Sequence, residues 1–583
     1  VTAIAPSAVA STRMPPPVVT RTPSSSAEVA LFTVLSATDA ATESVTAPAA
    51  SERSTIARAA VIIMIGTILS RVLGLVREQV TSWLFGTGDA VAAFTIADNI
   101  HTMLFDLVLS GMMQAALVPV LSAYADNDQR EELRQITGAL LVLALFGVGA
   151  VVVALELFAP QAVRVMTALG GGATARGPEV AALTVDLVRL ILPAVLLLAL
   201  STILMSTLYA MQRFTRPALS LAARNAAIVV VAVALGRTAF GVRSLVVGIL
   251  LGALLMVLIQ LPGLRDALPR PNMHFGHPAI RRILALYLPI FVGLISNTIA
   301  LVVDRNLAWG VDPHALGAMR YATALNQIIL GVVAAATSLA SLPTLSRHFT
   351  AGDEAGFQRT LSNGLKMVTV MVVPATLGLA AIAWPVVNLL FFHGATDDAG
   401  ARAIFVAMLA YLPGTFFAAF DQVLIFAYYA RQNTRTPVIV GVLAVGVYFI
   451  VALTLVRPLG MVGLVLANSA QFTFHALAMW FLLRRALGRV GDATVGRTLR
   501  VALGVGAVMA IVAFLVAEGI DRAGLAPSGG ATSIAALAGQ FLAVVAPIAV
   551  AVVIYAVGLQ RFGVEEVQAI RQGVMRRLGR ALS

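Results

Sequence analysis

There is no cysteine among the 583 residues, which excludes disulfide and thiol chemistry. The histidines are few and scattered, and apart from the loop pair His274 and His277 none has zinc-ligand spacing. Lysine occurs once, at Lys366, and the glycine run Gly170-Gly171-Gly172 lacks the Lys-Ser/Thr that completes a phosphate-binding loop. Nucleotide hydrolysis by the chain is therefore not expected, no cofactor is called for, and any work must draw on an ion gradient, the membrane potential or a substrate gradient. Charge is also scarce, at 12% of residues against about 25% in soluble domains. No loop is long enough to fold as a domain, so an extramembrane catalytic module is not expected.

Apolar residues fill the space that charge leaves, at 59% of the chain. Crossing a bilayer core takes about 20 of them in a row. Such stretches can be placed at 58–84, 89–122, 133–158, 178–210, 216–236, 242–263, 280–311, 315–346, 364–392, 400–430, 436–456, 459–484, 497–518 and 535–559. Lipid forces each backbone amide to be satisfied within its own segment, so all fourteen are expected to be helices. Basic residues such as Arg130, Arg134, Arg213, Arg216, Arg265, Arg270, Arg431 and Arg435 fall in alternate loops, whereas Arg164, Arg176, Arg237, Arg243, Arg402, Arg457 and Arg522 are sparse in the others. The positive-inside rule then places both termini in the cytoplasm of a multi-pass protein. Loop topology and anionic lipid account for the net charge of +12 without a nucleic-acid partner. Residues 1–52, rich in Ala, Ser, Thr and Pro, are expected to be a disordered cytoplasmic tail or an over-called start, not a signal peptide.

The chain also repeats itself. Leu192-Pro193, Leu208-Tyr209-Ala210, Gln212 and Pro217 recur about 220 positions later as Leu412-Pro413, Tyr428-Tyr429-Ala430, Gln432 and Pro437. Val118-Pro119-Val120-Leu121-Ser122 is echoed at a similar offset by Leu342-Pro343-Thr344-Leu345-Ser346. Halves of a duplicated membrane protein meet across a pseudo-twofold axis, and in secondary transporters the substrate passes between them. The predicted fold is an all-α polytopic membrane protein of about 14 transmembrane helices, with two pseudo-symmetric six-helix lobes and two C-terminal helices. The units are a tail at 1–52, an N-lobe at 53–263, a C-lobe at 264–490, accessory helices at 491–560 and a basic cytoplasmic tail at 561–583.

A charge at the centre of a membrane helix costs about 2.5–3.5 kcal/mol on insertion scales, so each one kept there needs a partner or a cavity. Arg71 and Arg77 stand six residues apart in the first span, with Gly74 between them as a place to bend. Two forked guanidiniums suit a diphosphate. The alternatives are that both snorkel to a surface, or that Glu78 neutralises Arg77. Arg224, Arg305 and Arg320 join Glu78 and Asp304 as candidate cavity or lobe-coupling charges. Asp304 and Asp421 are candidate cation or proton sites, Asp421 occupying the repeat position of Ser201. A polar contact buried between helices is the alternative for Asp421. Asp186 and Arg189, three apart on one helix face, are expected to form a local ion pair.

Three segments carry a family likeness. Ser70-Arg71-Val72-Leu73-Gly74-Leu75-Val76-Arg77-Glu78, Leu84-Phe85-Gly86-Thr87-Gly88 and Gly111-Met112-Met113-Gln114-Ala115-Ala116-Leu117-Val118-Pro119 resemble the opening of the MurJ (MviN) lipid II flippases. These belong to the multidrug/oligosaccharidyl-lipid/polysaccharide (MOP) exporter superfamily. Tyr429-Ala430-Arg431-Gln432 with Thr434-Arg435-Thr436-Pro437 looks like the same family's later signature, and the likeness spans residues 55 to about 560. It implies a flippase of the bacterial cytoplasmic membrane, moving undecaprenyl-diphosphate-linked muropeptide outward for peptidoglycan synthesis. The two extra helices would then form a groove for the lipid tail. The family's diphosphate-engaging arginines carry over onto Arg71 and Arg77, and a sodium site of some members would fall at or near Asp304. Further cavity arginines of spans two and eight meet Phe105 and Ala324 instead, and a second-span aspartate meets Ala92. Arg305, Arg320 and Arg224 are the candidate substitutes.

The expected partners are lipid II or a similar polyprenyl-diphosphate saccharide, membrane lipids and cell-wall synthesis proteins, with Na+, H+ or the membrane potential as the drive. The alternatives are an exporter of another lipid-linked oligosaccharide or of cationic drugs, a membrane glycosyltransferase, and a scaffold for cell-wall enzymes. Short outer loops weigh against the glycosyltransferase.

Overall fold

A computed structural model describes residues 50–107, 116–488, 490, 493–527, 529 and 533–564. Most of the expected N-terminal tail, the end of the basic tail and residues 111–115 of the opening motif lie outside these. The elements are α1 (Ala50–Phe85), α2 (Asp89–Phe105), α3 (Val118–Ser122), α4 (Arg130–Leu157), α5 (Ala159–Thr167), α6 (Pro178–Ala210), α7 (Thr215–Leu235), α8 (Arg243–Gln260) and α9 (Pro278–Trp309). They continue with α10 (Ala315–Thr350), α11 (Glu354–Ala381), α12 (Ala383–Leu390), α13 (Asp398–Ala430), α14 (Arg435–Leu459), α15 (Met461–Leu487), α16 (Ala493–Arg522) and α17 (Ile534–Arg561). Among the described residues there is no strand.

Ten helices, α4, α6, α7, α8, α11 and α13 to α17, are long and apolar enough to cross a bilayer. Three others, α1, α9 and α10, are as long, at 36, 32 and 36 residues. The second expected span is described at its two ends, by α2 and α3. Together with α2, the three long helices hold Arg71, Arg77, Glu78, Asp98, Asp304, Arg305 and Arg320, most of the charge within the expected spans.

The duplication is visible in the backbone. Gln212 and Gln432, with φ of 56° and 57°, are the non-glycine residues with positive φ among those described. Each closes its helix in the same way. Arg213 N donates to Leu208 O at 2.8 Å and Gln212 N to Tyr209 O at 2.9 Å, while Asn433 N donates to Tyr428 O at 3.0 Å and Gln432 N to Tyr429 O at 2.9 Å. This left-handed cap reverses the chain between α6 and α7 and again between α13 and α14. The repeated Tyr-Ala-x-Gln signature is therefore a turn. Short α5 follows α4 as short α12 follows α11, and Pro193 and Pro413 sit inside α6 and α13.

The connection between the halves is pinned at Asp266, which accepts from Arg213 at 2.5 and 2.7 Å and also from Arg130. The Arg213 hydrogen bonds hold its carboxyl down at about 2. From there α9 leaves with His277, whose Nε2 lies 2.9 Å from Glu132 on α4. Helices α16 and α17 pack on each other and against α11 of the second half.

Glycine adopts the left-handed region without the Cβ penalty that glutamine meets. Gln212→Gly and Gln432→Gly are each expected to stabilise the chain by about 0.5–1 kcal/mol, raising the melting midpoint in detergent by roughly 1 °C. A fall in midpoint would show that the glutamine side chains hold the turns.

Candidate functional site

The first span brings Glu78 to the seam between the halves, where it is 3% exposed. A carboxylate so placed must be paired, and two guanidiniums meet it. Arg77, its neighbour on α1, donates from Nη2 at 2.6 Å and Nε at 3.1 Å. Arg320 crosses from α10 of the second half and donates from Nε at 2.7 Å and Nη2 at 3.1 Å. The Nη1 of Arg320 then reaches Asp98 on α2 at 2.8 Å, and its Cζ lies 4.8 Å from the Phe94 ring centre. Arg77 also donates to Asn225 Oδ1 on α7 at 3.4 Å, and Asn225 ties back to Ser70 at 3.1 and 3.2 Å. Arg224 stands in the field of Arg77 and Asp98, its Nε buried without a hydrogen-bond partner. Three arginines therefore face two carboxylates, and the cluster carries a positive surplus.

Other expectations fare unevenly. Arg71 is exposed and donates to Gln327 O on α10 at 3.4 Å, whereas Arg77 turns to Glu78, so the two heads share no partner. The helix runs on through Gly74. Asp186 does not pair with Arg189: it accepts from Arg243 on α8 at 2.6 Å, while Arg189 donates to Glu156 O at 3.4 Å. Asp304 accepts from Tyr448 on α14 at 2.5 Å and lies 3.4 Å from Arg305, so it belongs to the second half. Nε and Nη1 of Arg305 are buried without hydrogen-bond partners. Asp421 pairs with His475 on α15 at 2.7 Å. Among the described residues no group of three His, Asp or Glu side chains could hold a metal. Of the candidate substitutes for the missing cavity arginines, Arg320 and Arg224 join the central cluster and Arg305 does not.

Sequence reasoning missed a second interlobe contact, at the end of the bundle where α1 stops and α10 begins. Arg176, its side chain 4% exposed, donates to Trp309 O at 2.8 Å, Asp312 O at 2.7 Å, Pro313 O at 3.1 Å and Asp89 Oδ1 at 2.6 Å. Around it Thr87 meets His314 at 2.7 Å, Ser82 meets Thr396 at 2.7 Å, and Tyr321 donates to Gly86 O at 2.8 Å. A Cβ on Gly310, Gly317 or Gly394 would strike the facing backbone. The halves are thus zipped shut at this end. The sequence signal was an arginine, one of two with Arg164, in a loop on the side otherwise poor in basic residues.

Helices α16 and α17 border apolar hollows along the second half, one of about 570 Å³ lined by Leu325, Met371, Pro374, Met509 and Tyr555 among others. A second, of about 520 Å³, runs between α11, α13 and α16.

Truncating Arg320 leaves Asp98 without its guanidinium and Glu78 with Arg77 alone. Arg320→Ala is expected to cost about 3–5 kcal/mol, read as a lowered melting midpoint in detergent. Glu78→Gln with Asp98→Asn in the same background should recover most of the loss. An unchanged midpoint in Arg320→Ala would mean that the cluster does not join the halves.

Comparison with known proteins accords with this geometry. A family described as "Lipid II flippase MurJ" matches residues 81–528. The probable lipid II flippase MurJ of Vibrio cholerae is 31% identical over 428 residues, 71% of this chain and 80% of that one. The lipid II flippase MurJ of Burkholderia cenocepacia is 25% identical over 429 residues, 72% and 82% of the two chains. Among solved structures, a lipid II flippase MurJ in an inward closed conformation superposes with a TM-score of 0.68 at 20% identity, covering 86% of this chain and 98% of that one. An inward-facing multidrug resistance MATE family transporter of the MOP superfamily superposes at 0.61 with 16% identity, covering 76% and 99%. The described helices, their duplicated order and a match over most of the chain agree: the chain belongs to the MurJ family of lipid II flippases.

Proposed function

We propose that this chain moves lipid II, the undecaprenyl-diphosphate-linked muropeptide, from the inner to the outer leaflet of the bacterial cytoplasmic membrane by alternating access. The observation that carries the reading is the cationic surplus at the lobe seam, built by α1, α2, α7 and α10 in a family of flippases. The charged helices α1, α2, α9 and α10 then complete fourteen spans and line the path. With both termini in the cytoplasm, the zipped end around Arg176 is the outer end, and the seam opens inward.

A diphosphate entering from that side meets Arg71 first, since it is exposed. Arg77 is the next guanidinium. Because Glu78 is shared, Arg77 can turn to the diphosphate while Arg320 keeps Glu78 paired. Bidentate guanidinium contacts to phosphate are short and strong. The apolar hollows beside α16 and α17 suit the polyprenyl tail, so only the headgroup crosses. Coupling to Na+ or H+ at Asp304 or Asp421, or to the membrane potential, belongs to the same reading.

The likeness to MATE transporters favours a second reading, export of cationic drugs. The surplus positive charge of the central cluster repels such cargo.

Complementation of a flippase-depleted bacterium tests the function. Wild type is expected to restore growth, and Arg71→Ala and Arg77→Ala at equal membrane abundance to lose it. Rescue by all three would remove the two arginines from the path, and rescue by none would point to other cargo. Alternating access has its own assay, because a chain without cysteine accepts single reporter cysteines cleanly. Arg176→Ala is expected to raise labelling from outside of a cysteine placed at Thr95 by about tenfold, the population shift that about 1.4 kcal/mol of lost latch would give. Unchanged labelling would show that this end does not open.

A further inference from the structure

The two halves differ at one matched corner. In the first half, Gln260 on α8 donates to Ser201 on α6 at 2.9 Å and to Ser220 on α7 at 3.2 Å, and all three are wholly buried and neutral. In the second half the corresponding corner of α13, α14 and α15 places Asp421 at the repeat position of Ser201, with His475 reaching it as Gln260 reaches Ser201. Nδ1 of His475 lies 2.7 Å from Asp421 Oδ2, and Nε2 lies 3.3 Å from the carbonyl of Pro437 at the head of α14. The side chains are 8% and 13% exposed, and Oδ1 of Asp421 is buried without a partner.

Both ring nitrogens of His475 therefore face oxygen. A neutral imidazole offers one N–H and one lone pair. With Asp421 ionised it could satisfy one of these contacts and would set a lone pair against oxygen at the other. Both are satisfied when the pair holds one more proton, either as imidazolium beside carboxylate or as Nε2–H imidazole beside a carboxylic acid. The two forms contain the same number of protons. Removing that proton turns one of the two contacts repulsive, and the repulsion acts between α15 and either α13 or the start of α14.

The other ionisable groups on the helices around the pair include Tyr428 and Tyr429 on α13, Lys366 on α11, Arg435 on α14, and the terminal Arg347, His348, Arg484 and Arg485 of α10 and α15. Tyr429 lies in the field of Asp421, and the charge acting on Asp421 is that of His475.

We infer that Asp421 and His475 form a proton-binding site, and that the proton is the ion coupled to transport. Resting on the flippase reading, the inference assigns its drive. The loaded pair clamps α13, α14 and the inner half of α15. Loss of the proton to water frees the head of α14, so the second half changes shape once per proton bound and released. The serine and glutamine corner of the first half, which cannot titrate, stays fixed.

Two measurements test this separately. In nanodiscs, 15N-histidine spectra of the full chain should contain a resonance, absent from His475→Gln, that titrates reversibly within about pH 5–8, the window of histidine. In proteoliposomes holding lipid II, a gradient of about one pH unit should change the flipping rate of wild type by up to about tenfold. The double variant Asp421→Ser with His475→Gln, which copies the neutral corner, should melt as wild type does and ignore the gradient. A His475 resonance that does not move, or a double variant with the wild-type gradient response, overturns the proton site and leaves the flippase reading standing. A titrating His475 in a protein that flips no lipid II at any gradient does the reverse: it keeps the site and removes the cargo.

Discussion

A charge held in hydrocarbon must be matched, and that requirement decides where the two halves of this protein meet. Glu78 and Asp98 lie in the first half, and the guanidinium that bridges them, Arg320, comes from the second. The first half holds Arg77 and Arg224 beside the two carboxylates. Arg320, whose own half offers it no carboxylate here among the described residues, is the guanidinium that joins them across the seam, at about 2.5–3.5 kcal/mol per unmatched charge on insertion scales. The charges that meet at the seam come from α1, α2 and α7 of the first half and α10 of the second.

The match is incomplete in one direction, and the imbalance is where function enters. Arg77 and Arg320 share Glu78, while Arg224 has a buried Nε with no partner. A cluster balanced to neutrality would be a structural bolt with no affinity for an anion. One with carboxylates removed would be too costly to insert. Leaving one guanidinium in excess keeps the seam assembled while a doubly charged anion gains by approaching it.

Much of the architecture was legible in the sequence because it is written in composition and repetition. The offset between Leu192-Pro193 and Leu412-Pro413 gave two halves, and the Gln212 and Gln432 caps show the same backbone turn built twice. Site residues were legible as a set but not as partners. Arg77 and Glu78 were adjacent and easily joined, yet the arginine that completes them is 242 positions from Glu78. Asp186 shows the same limit: the near neighbour Arg189 looked sufficient, but the tertiary fold brought Arg243 closer. Arg176 was seen only as one of the few basic residues of the sparse loops, since three of its four partners are backbone carbonyls, which a sequence does not distinguish from any others.

The two interlobe contacts differ in kind. At the zipped end one guanidinium, Arg176, is joined by hydroxyl and carbonyl contacts, the neutral ones contributing about 0.5–1.5 kcal/mol net and the charged ones about 1.5–3 kcal/mol. Such a contact is made of many small terms that can be undone one by one. The central cluster has no water-like substitute for Arg320, and separating it leaves bare charge. On the proposed alternating-access reading, the halves would part at the zipped end while remaining joined through Glu78 and Asp98, with the central cluster as the pivot. An anion bound there would sit at the point that moves least, with access from either face decided by which end of the seam is closed.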